Sequence, residues 1–593
     1  MPKIETYQDT LFGYMGTTMD EGELELLLES AKGEIDESAD STGLMKIELN
    51  DTNRPDLWST AGLGRQLRIH LGGKIPEYGF FSRPGTMQDA GGRRVVVDSD
   101  LESIRPYIAA FAVSGKPIDD AALRDLIQSQ EKLCSNFGRH RKSIAMGVYR
   151  TRLIEYPVLY RAADPESTKF VPLGMEQELS LRGIISEHPK GQEYGAIVAD
   201  FPKMPFITDT HGEVLSFPPV INSARVGAVE VGDDELFIEL TGTDMESLLL
   251  ACSIVACDLA DAGHTVHPVR VEYPYDTPLG REVVTPCYFQ TPMRAELAAV
   301  SRLLGEQIDS ETAIAALARM GVLATADGEG RIVAHPPEYR NDFLHQVDVA
   351  EDIMMGRGMK SFAPEMPSDF TIGRLTEVEQ FSRRVIGNMV GLGYQEMIFP
   401  YLASGQDLID RMRPIAAALD EDSGERSAGA SAPLNVHGGG PIRLSNPMSE
   451  NYEYVRNSTI PYLLGSESVS GHAVYPHHLF EVGKVARFAP EDVHGVVTIN
   501  SLGFVTADAS AAFTVVSSHL SILMYYLSRE YRLEESDDER FIPGRAAAVI
   551  HGDQRVGVFG ELHPQVLENW GITVPCTAGE IDLDALVRRD GPS

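Results

Sequence analysis

The chain has 593 residues, of which 43% are hydrophobic and 23% charged, and its formal net charge at pH 7 is −36. This length predicts three or four domains, and the composition is typical of folded globular proteins, which excludes a disordered chain. The excess of acidic residues argues against a broad nucleic-acid-binding surface. No apolar run approaches the ~20 residues that span a bilayer. The five cysteines lack a paired zinc-binding spacing, so reduced thiols in a cytosolic protein are expected.

Residues 1–90 predict an N-terminal α+β domain. A helix is expected over Glu21–Lys32 and a strand over Met45–Leu49. The polar loop from Asn50 to Asp56 connects that strand to a helix ending near Arg68. The loop is either a binding loop or a hydrogen-bonded junction between strand and helix.

Residues 91–275 predict a mixed α/β domain. Strands are expected over Arg93–Asp98, Tyr107–Val113 and Leu236–Leu240, and an apolar helix over Met245–Asp261. Asp244 directly precedes that helix, so from the residues alone its favoured role is an N-terminal helix cap.

Residues 276–362 predict a small α+β module. A strand is expected over Val283–Tyr288, followed by helices over Arg294–Leu304 and Ser310–Met320, with Gly321 ending the second helix.

Four carboxylates distinguish the end of this module: Asp342, Asp348, Glu351 and Asp352. The last three are spaced i, i+3 and i+4, so on a helix they share one face. Converging carboxylates repel one another, whereas a hard cation such as Mg2+ prefers oxygen ligands. From spacing alone, both a cation site and an ordinary solvated acidic face are consistent with the pattern.

Residues 363–593 predict a further domain of strands and helices, with a flexible, Gly- and Ser-rich surface insertion near 420–441. There is no phosphate-binding glycine loop and no metalloprotease helix. His472, His477 and His478 lie close in sequence but have no partner at ligand spacing, so packing and surface roles are expected for them.

Several segments from the first residue to nearly the last resemble the β subunit of phenylalanyl-tRNA synthetase, specifically its shorter archaeal and eukaryotic type. They are Met1–Tyr7, Lys46–Arg68, Phe217–Asn222, Asn446–Leu464, His478–Val485 and Gly560–Trp570.

The resemblance implies an α+β multidomain protein. It would end in a class II synthetase-like antiparallel sheet domain, preceded by the small module and by an editing domain at residues 91–275. It also implies that Asp342, Asp348, Glu351 and Asp352 bind Mg2+, with Asp352 standing where the family usually has glutamate.

In the family, the editing domain hydrolyses tyrosine wrongly attached to tRNA(Phe). The residues implied for this pocket are Ser216, Asn222, Glu239, Thr241 and Asp244. Archaeal relatives typically carry aspartate where Glu239 stands, and the family usually has an acidic residue where Arg150 stands. These departures keep open a scaffold subunit without editing activity.

The C-terminal domain is expected to be catalytically silent. Glu481 lacks the arginine pairing of a working class II motif, and Arg456 reads as a lone basic residue. The resemblance therefore assigns ATP and phenylalanine activation to an α subunit, in a cytoplasmic (αβ)2 heterotetramer that acts on tRNA(Phe). A stand-alone hydrolase of mischarged tRNA is the alternative, but it would lack the carboxylate module and the C-terminal domain.

Overall fold

The computed structural model describes residues 2–412 and 440–587. Its contacts divide the chain into two compact units, Met1–Met366 and Pro367–Ser593. The insertion predicted near 420–441 lies, apart from its last two residues, outside the described residues. Within the described residues, no helix is both long and apolar enough to cross a membrane.

The first unit begins with a three-stranded antiparallel sheet in the order β1-β3-β2, covered by helices whose apolar faces build one hydrophobic core. The elements are β1 (Lys3–Tyr7), α1 (Gln8–Met15), α2 (Glu21–Leu28), β2 (Gly33–Glu37), β3 (Leu44–Leu49) and α3 (Thr60–His70).

The predicted strand at residues 45–49 is confirmed, but α2 is shorter than predicted. A 3-10 turn over Glu29–Ala31 follows it, and Lys32 adopts a left-handed conformation that ends the helical stretch. In the polar loop, Arg54 Nε donates to Asp56 Oδ1 at 2.8 Å, and both side chains are buried. These two residues therefore form a hydrogen-bonded junction between strand and helix.

A ten-stranded mixed sheet forms the centre of the first unit, in the order β12-β11-β10-β7-β4-β14-β5-β13-β6, with β15 paired to β14. Its strands are β4 (Arg94–Val97), β5 (Tyr107–Ser114), β6 (Ile144–Arg150), β7 (Val158–Ala163), β10 (Met204–Thr208), β11 (Val214–Phe217), β12 (Ile221–Asn222), β13 (Glu235–Gly242), β14 (Thr265–Glu272) and β15 (Glu282–Thr285). The short pair β8 (Lys169–Phe170) and β9 (Leu179–Ser180) and four helices complete this region: α4 (Asp120–Lys132), α5 (Leu181–Glu187), α6 (Pro189–Tyr194) and α7 (Met245–Asp261).

Strand β13 is central to the site because it pairs with β5 on one side and β6 on the other. Glu239 lies opposite Ala110 of β5 and Gly147 of β6. Side chains alternate between the two faces of a strand, so Glu239 and Thr241 share a face. Helix α7 has the bounds predicted from sequence, and Asp244 accepts a hydrogen bond from Ser247 N at 2.8 Å, which confirms its role as the N-terminal cap.

A three-stranded sheet, β16-β18-β17, and three helices end the first unit. The elements are β16 (Met293–Glu296), α8 (Leu297–Leu304), α9 (Ser310–Arg319), β17 (Leu323–Ala326), β18 (Arg331–His335) and α10 (Gln346–Arg357). The prediction that the first helix begins at Arg294 was wrong, because Met293–Glu296 pairs with β18 and the helix starts only afterwards. Gly321 adopts a left-handed φ of 77° just after α9, as predicted.

The second unit is built on a seven-stranded sheet in the order β19-β23-β24-β28-β27-β26-β25, antiparallel except for the β19–β23 pair. The strands of a small second sheet, in the order β20-β22-β21, come between β19 and β23 in the sequence. The strands are β19 (Gln395–Glu396), β20 (Leu402–Ala403), β21 (Ile442–Arg443), β22 (Tyr454–Val455), β23 (His477–Phe488), β24 (Val496–Ala507), β25 (Arg532–Glu535), β26 (Phe541–His551), β27 (Gln554–Leu562) and β28 (Cys576–Asp582). The helices are α11 (Glu377–Gly391), α12 (Ile460–Ser468), α13 (Phe513–Leu527), α14 (Pro564–Trp570) and α15 (Leu583–Val587).

Candidate functional site

Glu239 is the buried acidic centre of the site on β13. Only 2% of its surface is exposed, and its Oε1 accepts a hydrogen bond from the Tyr149 hydroxyl at 2.7 Å. Burial raises the pKa of Glu239 to about 7, while the Tyr149 hydrogen bond and the charge of Arg105 act in the lowering direction. Near neutral pH this carboxyl therefore populates both its protonated and its ionised form.

Two polar atoms beside this centre are buried without a hydrogen-bond partner among the described residues: Glu239 Oε2 and Ser216 Oγ. Ser216 pairs across the sheet with Asn222, whose Oδ1 lies 3.5 Å from the Tyr149 hydroxyl. Burial raises the pKa of Tyr149 well above its usual value, and the nearby Ser216 hydroxyl partly offsets this without reaching normal hydrogen-bond geometry. Unpaired buried polar atoms are rare in native proteins, so these two mark a place for a polar ligand or water.

Thr241 is held by a buried arginine. Arg105 Nε donates to Thr241 Oγ1 at 3.0 Å, Nη2 donates to the Thr241 carbonyl at 2.6 Å, and Nη1 donates to the Lys142 carbonyl at 3.0 Å. Burial lowers the pKa of Arg105, whose guanidinium forms no ion pair shorter than 4 Å with the described carboxylates. The hydrogen bonds from Arg105 to Thr241 thus hold the end of β13 in place.

The structure brings together three of the five residues implied for the pocket, Ser216, Asn222 and Glu239, around a tyrosine that sequence reasoning missed. Asp244 is exposed and its carboxylate caps α7. Tyr149 and Arg105 lie 90 and 134 positions from Glu239, so only the strand register could have identified them.

Arg150, the residue that departs from the family pattern, points away from the pocket. It follows Tyr149 in β6, so its side chain lies on the opposite face. Arg150 Nη2 lies 2.8 Å from Glu230 and its Nε 3.1 Å from Asp233, both in the turn that precedes β13. The basic residue is therefore accommodated by ion pairs that do not involve Glu239.

Arg340 separates two of the four clustered carboxylates. Its guanidinium lies 2.6 Å from Asp342 Oδ2 and 2.7 Å from Asp352 Oδ2, and all three side chains are at least nine-tenths buried. Burial alone would raise the pKa of Asp342, but Arg340 outweighs it and holds that pKa below its ordinary value. These two carboxylates already have their counter-charge within the chain.

Asp348 and Glu351 have different partners. Asp348 Oδ2 accepts the backbone N–H groups of Leu344 and His345, both at 2.7 Å, at the start of α10. Glu351 pairs with Lys32 at 2.7 Å, and Lys32 also lies 2.9 Å from Asp51 of the N-terminal sheet region. Both carboxylates are partly exposed.

The cluster as a whole fits a cation only in part. Three cationic side chains, Lys32, Arg54 and Arg340, and five carboxylates line one small cavity of about 20 Å³. Within residues 2–412 and 440–587, no group of three or more His, Cys, Asp or Glu side chains is arranged to hold a metal ion. Asp342 and Asp352 do not fit as direct ligands, because their side chains are buried and Arg340 binds both. Asp348 and Glu351 are partly exposed and offer oxygen ligands, but Glu351 would have to exchange its contact with Lys32 for the ion.

In the second unit the interpretation of Arg456 as a lone basic residue was wrong. Its guanidinium forms a fork with Glu481, with Nη1–Oε2 at 2.9 Å and Nη2–Oε1 at 2.7 Å, and it is fully buried. A side chain at Gly483 would collide with this guanidinium, so the glycine makes room for the pair. Arg456 is consequently engaged inside the fold and is not free to clamp a phosphate.

Family models identify the class of protein. The model described as the tRNA synthetase B5 domain matches residues 293–359, and the one described as the phenylalanyl tRNA synthetase beta chain CLM domain matches residues 363–583. The first model covers the carboxylate module and the second covers nearly all of the second unit. Both belong to aminoacyl-tRNA synthetases.

Similarity over the whole length is more specific. The chain is 43% identical to the phenylalanine–tRNA ligase beta subunit of Treponema pallidum and 42% identical to that of Borrelia hermsii, covering 99% of this chain and 100% of each relative. The chain belongs to the phenylalanine–tRNA ligase β-subunit family.

A solved N-terminal fragment of the Pyrococcus horikoshii phenylalanyl-tRNA synthetase β subunit is also similar. It is 33% identical with a TM-score of 0.56, covering 60% of this chain and all of the fragment. The two full-length relatives named above are bacterial, so the expected assignment to an archaeal or eukaryotic type is not supported.

Proposed function

We propose that the chain is the β subunit of an enzyme that joins phenylalanine to tRNA(Phe) at the expense of ATP. The observation that carries this is the 43% identity over the full length of a curated β subunit. The subunit would work with an α subunit in a cytoplasmic (αβ)2 heterotetramer. The five free, buried cysteines agree with a reducing compartment.

The adenylation chemistry would belong to the α subunit. The second unit has a largely antiparallel sheet, as a class II synthetase-like domain requires. Its Arg456 is locked to Glu481, which supports a catalytically silent domain. Domain boundaries near residues 90 and 362 are proposed on the basis of the separate sheets and the largely separate cores of these regions. The boundary expected near 275 fits less well, because β15 (Glu282–Thr285) pairs with β14, so we propose that the central domain extends past residue 285.

Co-expression with a candidate α subunit tests this assignment. Size-exclusion chromatography with light scattering should give a 2:2 complex that charges tRNA(Phe), while the isolated chain should be inactive in charging. A chain that stays apart from α in a mixture without charging activity would refute the assignment.

We further propose that the pocket around Glu239 hydrolyses tyrosine from mischarged tRNA(Phe). Water would add to the ester carbonyl, and the ester bond would break to give free tyrosine and a tRNA with its ribose hydroxyl restored. The unpaired Glu239 Oε2 and Ser216 Oγ support a site that demands a hydroxyl. A phenol can both donate and accept a hydrogen bond and so has the chemistry to pair with either atom, whereas a phenylalanine ring leaves them unpaired at a cost of about 1–3 kcal/mol each.

Ser216→Ala tests this pocket directly. In the assembled enzyme, Tyr-tRNA(Phe) deacylation should fall about tenfold, because one hydroxyl partner is lost, while phenylalanine charging should not change. Ser186→Ala, on an exposed helical surface, is the matched control. Deacylation by the isolated chain would favour the stand-alone hydrolase, and no deacylation by the wild-type complex would favour the scaffold without editing activity.

We propose that Asp348 and Glu351 would hold a Mg2+ ion. Asp342 and Asp352 would remain bound to Arg340 and would not contact the ion directly. A bound ion would supply positive charge to the acidic cavity where the N-terminal region meets the carboxylate module. Its role would be structural, and no chemical step depends on it.

A further inference from the structure

We propose that Tyr149 is a positioning residue of the editing site. By occupying Oε1 of Glu239, it leaves Oε2 and the Ser216 hydroxyl as the two atoms that recognise the phenol of a mischarged tyrosine. This inference rests on the proposed editing function and extends it, because it states which oxygen of Glu239 is used for selection and what holds that oxygen in place.

The contacts of Tyr149 define its orientation. Its side chain is fully buried, its ring packs near Phe237 with centroids 6.2 Å apart, and its hydroxyl donates to Glu239 Oε1 at 2.7 Å. The hydroxyl has one proton to donate, and Glu239 is the nearer acceptor because Asn222 Oδ1 lies 3.5 Å away. Oε1 is therefore satisfied inside the protein, and Oε2 is not.

Gly147 makes this geometry possible. It lies directly opposite Glu239 in the register and two residues before Tyr149, so all three face the same side of the sheet. A Cβ at position 147 would overlap the Tyr149 hydroxyl and lie 2.6 Å from Glu239 Oε1. The missing side chain leaves the space in which the tyrosine hydroxyl meets the carboxylate.

None of the other titratable and charged groups described around Glu239 donates a hydrogen bond to it, so Tyr149 is the residue that holds its carboxylate in position. Three groups lie within reach of the charge of Glu239 but share no hydrogen bond with it among the described contacts: Arg105, which precedes β5, Tyr160 of β7, and Cys134, which follows α4. Arg105 directs its donors to Thr241 and Lys142, and the Tyr160 hydroxyl donates to the Arg105 carbonyl at 2.9 Å. Among the described residues, the hydrogen bond from Tyr149 is thus the contact that distinguishes the two oxygens of Glu239.

The selection of tyrosine over phenylalanine follows from the two unpaired atoms, Glu239 Oε2 and Ser216 Oγ. A substrate phenol both donates and accepts, so it can serve either form of Glu239 and also pair with Ser216. Without Tyr149 both oxygens of Glu239 would be unpaired, the carboxylate could rotate, and its alignment with the substrate would be lost. Such loss of alignment lowers the rate more than it affects folding.

The test is Tyr149→Phe in the assembled α–β enzyme, assayed for Tyr-tRNA(Phe) deacylation across pH. We expect kcat/KM to fall about tenfold, the loss of one hydrogen bond to a charged group. The pH midpoint should move upward, because the lost bond lowers the pKa of Glu239. Tyr156→Phe is the matched control, since Tyr156 also contacts Phe237 but its hydroxyl has no partner among the described residues.

A second pair of variants separates positioning from a structural effect. In a Glu239→Gln background, Tyr149→Phe should produce no further pH shift, because the titrating group is gone. Unchanged rate and pH midpoint in Tyr149→Phe, with active wild type, would overturn the inference alone. A wild-type complex that does not deacylate Tyr-tRNA(Phe) would overturn the editing function and this inference together.

Discussion

Replacing Arg340 by methionine should destabilise the first unit strongly. Methionine keeps an apolar stem of similar length but removes the charge that serves Asp342 and Asp352. Breaking a buried ion pair by removing one partner costs about 3–5 kcal/mol, and both carboxylates here are at least nine-tenths buried. We expect a loss of about 4 kcal/mol, a large share of the ~5–15 kcal/mol by which a typical domain is stable.

The two tryptophans of the chain allow this loss to be assigned to one unit. Trp58 is buried in the first unit and Trp570 belongs to the second, so a Trp570→Phe background leaves Trp58 as the reporter of urea unfolding. Arg124→Met is the matched control, because Arg124 and Asp120 form an exposed ion pair expected to contribute less than about 1 kcal/mol.

At low pH, the difference in the free energy of unfolding between wild type and Arg340→Met should become smaller. Arg340 holds the pKa of Asp342 below its ordinary value, so this contribution is complete above the ordinary value of ~3.9 and is lost as pH falls through the native pKa. Mg2+ should stabilise Arg340→Met more than wild type, because the freed carboxylates could join Asp348 and Glu351 as ligands. A stability change no larger than that of Arg124→Met would refute the role given to Arg340.

Two further substitutions probe the acidic cluster and the second unit. Asp348→Ala removes the acceptor of two backbone N–H groups at the start of α10, so the free energy of unfolding should fall by about 1 kcal/mol. The substitution should also reduce Mg2+ content and α–β assembly more than it reduces deacylation. Native mass spectrometry that shows unaltered metal content and assembly would contradict this. Glu481→Gln leaves Arg456 buried without its counter-charge, so the free energy of unfolding of the second unit should fall by about 3 kcal/mol. Urea unfolding followed by Trp570 fluorescence in a Trp58→Phe background measures this loss, and deacylation should not change. An unfolding midpoint equal to that of the parent would show that Arg456 does not need Glu481.

Local elements were well predicted where the sequence pattern is continuous. Helix α7 has the predicted bounds because its apolar run and its Asp244 cap are both local signals. The start of α8 was misplaced because residues 293–296 are recruited into a sheet by β18, a partner some 40 positions away. Local propensity does not contain that pairing.

The chemistry of the two sites was harder to predict for the same reason. Arg340 stands two residues before Asp342, but its contact with Asp352 depends on how the chain turns into α10. Tyr149 meets Glu239 only through the register of β6 and β13. Sequence identifies the titratable groups, whereas their partners are set by tertiary contacts between distant segments.

The fork between Arg456 and Glu481 has an evolutionary consequence. Freeing this guanidinium for phosphate binding would first require Glu481 to change, and that single substitution would leave a buried positive charge without its partner. A chain with only this first substitution would be less stable than the present one. If the adenylation chemistry belongs to the α subunit, as proposed, this contact would keep the second unit from acquiring a phosphate-binding arginine by a single substitution.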